Sequence, residues 1–164
     1  MSTDSLSVLV ECDALLCAIP TGSVSRLLLD EDVTVVSPAL EAEHPTRLAI
    51  GREEWLGFDL GELLAVGGTR GAWVLLSLSH RGAPLPIALR TGRCLAVREV
   101  RGGIELPRRA FRSRPRALRS AFAIGGLGVT SGAVCGARLD PEGLLEGAPL
   151  RHALSALSER RRIG

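Results

Sequence analysis

The 164-residue sequence predicts a mainly β protein built from small barrels. Three observations carry that reading. Apolar residues fall in short runs, many of them alternating with polar ones at the period of two that a strand imposes. Gly, Pro and acidic turn signals interrupt the runs at close intervals, which leaves room for about ten short strands. Helical periodicity is confined to one turn inside the chain and to the C-terminus, so a sheet built from βαβ crossovers is disfavoured. The apolar fraction of 46 % supports a sizeable core and excludes a wholly disordered chain. The length suits one domain over residues 1–164, or two small subdomains sharing cores.

Ser7–Cys12 alternates, with Val8, Val10 and Cys12 on one face. Leu15–Ile19 is apolar almost throughout, as in a strand buried on both sides. Asp13 between them gives a tight hairpin, and Pro20, Thr21 and Gly22 make the next turn. Val24–Leu29 reads as a strand closed by Asp30, Glu31 and Asp32, and Val33–Val36 follows as far as Ser37-Pro38. Arg47–Ile50 and Trp55–Phe58 are two more strands joined through Gly51–Glu54. Asp59 is a helix N-cap, and Glu62 three residues on completes a capping box. Leu60, Leu63 and Leu64 give that short helix its apolar side, and Gly67-Gly68 ends it.

Ala72–His80 places Ala72, Val74, Leu76 and Leu78 on one face. A turn at Arg81-Gly82-Ala83 leads into Leu85–Leu89, with Leu85, Ile87 and Leu89 inward. Pro84 and Pro86 put that strand at an edge or at a bulge. Gly92 turns the chain into Cys94–Val100. Leu118–Ile124 and Ala133–Leu139 are the last strands, and Asp140-Pro141 stops the second. Residues 149–162 form a C-terminal helix and basic tail. Pro149 suits a first helical position, Leu150, Leu154 and Leu157 make one apolar stripe, and Arg160–Arg162 follow where positive charge favours the dipole.

All 20 basic residues are Arg, and the net charge of +2 hides a split. Asp30–Glu62 holds nine acids and two arginines, a net −7, whereas Arg101–Arg119 holds seven arginines and one acid, a net +6. The two blocks face each other or different partners. The arginine stretch suggests a nucleic-acid binder as an alternative function. Five aromatic residues are too few for a base-stacking platform, so nucleic acid is disfavoured. No apolar run approaches the ~20 residues a membrane helix needs, and the start of the chain does not read as a secretory signal. Cys12, Cys17, Cys94 and Cys135 lack any CxxC spacing, which disfavours zinc and predicts free thiols in a reducing cytoplasm. His44, His80 and His152 sit in no nucleophile–base motif, and no phosphate-binding glycine pattern occurs. The residues therefore predict no catalytic set, no metal and no cofactor. Trp73 reads as core, and Trp55 as core or as a partner-facing anchor.

The order of these pieces resembles the CheW-like domain of bacterial chemosensory systems. Val8–Ile19 followed by Gly22-Ser23-Val24-Ser25-Arg26-Leu27-Leu28 is similar to the family's opening hairpin and its V-x-E-[VI] strand. Leu48–Leu60 is similar to the run N-L-R-G-x-[IL]-L-P-V-[IV]-D-L, with Gly61-Glu62-Leu63-Leu64 continuing as its short helix. Gly71–Val100 resembles the following hairpin and V-x-x-V strand. Leu106-Pro107, Ala121–Leu127 and Val134–Leu145 resemble the closing segments. Arg26 stands where the family has Glu, Glu53 where it has Gly, and Gly57 where it has Pro. The resemblance implies two intertwined five-stranded β-barrels. It also implies a non-catalytic cytoplasmic adaptor that couples a methyl-accepting chemotaxis receptor to a CheA-type histidine kinase. Partner contacts are expected at Val24, Arg26, Leu28, Arg52, Trp55 and Asp59. Because an unpaired charge cannot be buried beside Val24 and Leu28, Arg26 is expected to face solvent or a partner, or to pair with Asp59 or Glu54.

Overall fold

A computed structural model describes residues 5–13, 15–100, 104–105, 118–125 and 133–163. β1 (Ser5–Cys12) and β2 (Leu15–Pro20) form the expected hairpin, and Asp13 turns it with a left-handed φ of 54°. Asp tolerates that conformation because its short polar side chain bonds locally. The chain then leaves this sheet. β3 (Val24–Leu29), β4 (Thr34–Ser37), β5 (Thr46–Ile50), β6 (Glu53–Asp59), β7 (Ala72–Leu76) and β10 (Ile87–Thr91) make a second sheet, ordered β3-β7-β10-β6-β5-β4. β8 (Leu78–His80) and β9 (Ala83–Leu85) form a two-stranded ribbon beside it. The chain returns as β11 (Cys94–Val100), β12 (Ile104–Glu105), β13 (Leu118–Gly125) and β14 (Ala133–Leu139), completing a first sheet ordered β11-β1-β2-β14-β13-β12. Among the described residues each sheet therefore has six strands, one more than the five expected, and the two are intertwined along the chain. Each also contains one parallel pair, β2 with β14 and β6 with β10.

Both outer strands of the second sheet, β3 and β4, are consecutive in sequence and joined only by the 3-10 turn Asp30–Asp32 and Val33. So short a link makes the sheet curl, bringing Arg26 of β3 to Glu53 of β6 across two intervening strands. Three outer strands share another feature. β3, β4 and β11 each carry an extra residue against their neighbour, at Ser25, Val36 and Leu95.

Three apolar clusters follow from this arrangement. In the largest, Val8, Val10, Cys12, Cys17 and Ile19 from the first sheet meet Leu56, Phe58, Val74, Leu76, Ile87 and Leu89 from the second. Leu9, Leu16, Ala18 and Val100 form a cluster on the opposite face of the first sheet. Leu48, Ile50, Trp73, Leu75 and Ala88 do so for the second. Strands β2 and β7 are thus buried on both faces. That agrees with the unbroken apolar run of β2, and on β7 with the reading of Trp73 as core. Two helices, α2 (Pro141–Leu145) and α3 (Ala148–Ile163), follow β14. α3 lays Leu150, Ala153, Leu154 and Leu157 on the shared core, as its stripe predicts, while α2 was not foreseen. Arg160–Arg162 belong to the last turn of α3 rather than to a tail beyond it.

Two expectations change. The prolines do not place β10 at an edge, because β10 is central. Pro86 instead splits the predicted strand, leaving Pro84 in the ribbon and the inner half inside the sheet. The short helix α1 (Leu60–Leu63) exits through Ala65 at φ 58°, before the glycines. Leu64 is buried beneath it, as expected, whereas Leu63, expected to be buried as well, is only partly so.

Candidate functional site

Residues of β3 and β6 build the surface around Arg26. The extra residue at Ser25 breaks the alternation of β3: Val24 pairs with Leu76, and Arg26 with Leu75. Val24 therefore packs on the shared core while Leu28 packs on the cluster under Trp73. Val24, Arg26 and Leu28 do not present one face to solvent. β3 exposes Ser25 and Arg26 and, on the face opposite to Arg26, Leu27 and Leu29, which are 40 % and 55 % exposed.

Arg26 is surface-exposed, and its Nη2 lies 3.4 Å from Glu53 Oε2. The partner is neither Asp59 nor Glu54. Two strands separate β3 from β6 in the sheet, so this contact depends on the curl that brings them together. The same Glu53 oxygen accepts from Trp55 Nε1 at 3.1 Å, and Trp55 is half-buried against the cluster of Leu48 and Trp73. Trp55 thus packs its ring on the core, one of the two roles its sequence context allowed, while its N–H meets a surface carboxylate. Glu53 was missed as a site residue, although period-two alternation puts it on the face of Trp55.

Beside this trio lies a cleft of about 350 Å³, with Ser25, Trp55, Ser77, Leu78, Pro84 and Pro86 among its lining residues. It exists because two strand breaks fall at one level. Ser77 separates β7 from β8, and its N–H donates to the Ser23 carbonyl at 2.9 Å. Pro86 separates β9 from β10, and its carbonyl accepts from Leu56 N–H at 2.8 Å.

Gly57 explains one departure from the family pattern. A Cβ there would lie 2.7 Å from both Leu48 Cδ1 and Trp73 Cζ3, so glycine lets the Trp73 ring rest on bare backbone. Arg90 sits over that ring at 5.3 Å and forms a two-point pair with Asp30 at 3.2 and 3.1 Å. The Asp30 carboxylate also accepts from Gly71 N–H at 3.1 Å.

Asp59, expected at the partner surface, is engaged within the chain. Its Oδ1 accepts from Glu62 N–H at 3.2 Å and its Oδ2 from Thr69 N–H at 3.0 Å. The Thr69 hydroxyl lies within hydrogen-bond distance of Asp59 Oδ1 and of the Arg90 carbonyl. Arg52 occupies the turn after Gly51, is exposed, and makes no ion pair with another described residue. In the acidic block Glu54 holds Arg47 at 2.6 Å and, from the far end of the chain, Arg160 of α3 at 3.0 Å. Arg101–Arg119, the alternative nucleic-acid segment, lies mostly outside the described residues.

Cys12 and Cys17 are buried free thiols and Cys94 is an exposed one. The Cys17 thiol donates to Cys12, which holds Cys12 below the usual thiol range, and the same bond with burial pushes Cys17 above it. Burial also raises Cys94. Among the described residues no three His, Cys, Asp or Glu side chains are grouped to hold a metal ion. Nor is any described helix long and apolar enough to cross a membrane.

No protein-family model matches this sequence, and no curated protein matches it. A solved structure does: the scaffolding protein TtCheW from Thermoanaerobacter tengcongensis aligns with a TM-score of 0.65 and 12 % identity. The alignment covers 90 % of this chain and 96 % of that one. At that identity the likeness is one of architecture, and the two intertwined β sheets with their C-terminal helix have the CheW-like fold.

Proposed function

We propose that this chain is a non-catalytic adaptor of a bacterial chemosensory system, coupling a methyl-accepting receptor to a CheA-type histidine kinase. The observation that carries the reading is the likeness of fold to a scaffolding protein along nearly the whole of both chains. The surface chemistry supports it. Arg26, Glu53 and Trp55 form a charged and aromatic strip at the surface, next to a cleft with two prolines in its lining, and Leu27 and Leu29 are exposed on the opposite face of β3. Such a strip suits recognition of a protein surface better than turnover of a small molecule. Arg26 in place of the family's Glu reverses the charge at that strip, so the adaptor selects a partner with the opposite complement.

The test is reconstitution. Kinase autophosphorylation is measured with receptor-bearing membranes, with and without this protein, using receptor and kinase from the same organism. The reading expects receptor control of the kinase only when this protein is present. Arg26→Glu and Trp55→Ala, with folding checked by circular dichroism, should weaken kinase or receptor binding by about tenfold, and Arg52→Ala by less. Receptor control that is the same with and without the protein would sink the adaptor reading.

A further inference from the structure

Leu40, in the loop of residues 38–45 between β4 and β5, is 96 % exposed. The loop is nevertheless pinned. Ala39 N–H donates to Thr46 Oγ1 at 3.2 Å, and His44 N–H donates to the Glu41 carbonyl at 3.0 Å. The His44 ring stacks on His152 of α3 at 3.8 Å. Leu40 is therefore presented by an anchored loop. Four and five residues before it in sequence, Val36 and Val35 on β4 are 58 % and 45 % exposed. The charges flanking this stretch in sequence that no described arginine holds share one sign: Glu41 and Glu43 follow Leu40, and Glu31 and Asp32 lead into β4, while Asp30 is held by Arg90. Arg47, the nearest arginine in sequence, is held by Glu54.

We propose that this loop is a second docking surface, on which Leu40 and Val36 enter an apolar socket of a protein partner whose rim carries Arg or Lys. Charge complementarity selects that occupant, because the same carboxylates repel nucleic acid and acidic protein faces. The extra residue at Val36 interrupts the ladder of β4, so side chains rather than strand pairing make the contact. The proposal rests on the adaptor reading, since it places the partner within the receptor–kinase assembly.

The experiment titrates the purified receptor cytoplasmic domain, and separately the purified histidine kinase, against three forms of the full chain by calorimetry. The forms are wild type, Leu40→Asp and the double variant Glu41→Arg/Glu43→Arg, each checked by circular dichroism. For one of the two probes, both variants should lose about tenfold or more in affinity. The wild-type affinity should also fall with added salt more steeply than that of the charge variant. Wild-type binding with unchanged affinity in both variants overturns the loop proposal and leaves the adaptor reading standing. Failure of the wild type to bind either probe overturns both. Wild-type self-association that Leu40→Asp abolishes, seen by sedimentation, makes the occupant a second copy and overturns the proposed partner.

Discussion

Asp59 and Gly61 fix one corner of the second sheet by different means. Asp59 caps α1 and also holds Thr69, so Asp59→Ala removes the cap and leaves the Thr69 N–H without its acceptor. A cap is worth about 1 kcal/mol and an orphaned donor about as much again, so urea denaturation should show a loss of about 2 kcal/mol. At Gly61 the obstacle is steric. A Cβ would meet the Gly67 carbonyl oxygen at 1.8 Å, and backbone cannot step aside as a side chain does. Gly61→Ala should cost on the order of 3 kcal/mol in the same measurement. The thiols give a third test: with the protein folded, Cys94 should be alkylated well before Cys12 and Cys17, as peptide mass spectrometry would show. Because burial raises its pKa above the ordinary 9.0, the Cys94 rate should still climb above pH 9. The cap at Asp59 was legible because its signal is local, S/T/D-x-x-E spacing before an apolar pair. The Arg26–Glu53 contact was not. Its partners are 27 positions apart and meet only through the curl of a whole sheet.

At the scale of the element, strand boundaries were read well where turn residues mark them, as for β3 and β11, which span their expected ranges. Facing was read less well. An extra residue at Ser25 leaves no mark in the composition of Val24–Leu29, yet it reverses which side chains share a face. α2 escaped because its residues 141–145 are too few to show a helical period. α3 behaves as its stripe predicts, and its packing can be tested at Ala153, which is fully buried in the shared core. Ala153→Leu should overpack that contact and cost about 1–3 kcal/mol, read as a lower denaturation midpoint. Ser155→Ala, on the exposed side, should leave the midpoint unchanged.

For the whole molecule, the largest apolar cluster draws on both sheets and on the two C-terminal helices, so neither sheet has a complete core alone. Unfolding should be a single transition. Both tryptophans belong to the second sheet, so fluorescence follows that sheet while far-ultraviolet circular dichroism follows the entire chain. Coincident urea midpoints from the two probes are expected, and separated midpoints would mean the sheets unfold independently. The three extra residues on outer strands also bear on what kind of association this fold permits. An uninterrupted outer strand accepts almost any extended chain, because main-chain amides are alike in every sequence, and it invites fibrous polymer at high local concentration. Ser25, Val36 and Leu95 spoil that template on three outer strands. Molecules crowded into one assembly then stay discrete, and each joint between them is read through individual side chains. Such a joint can be retuned one substitution at a time.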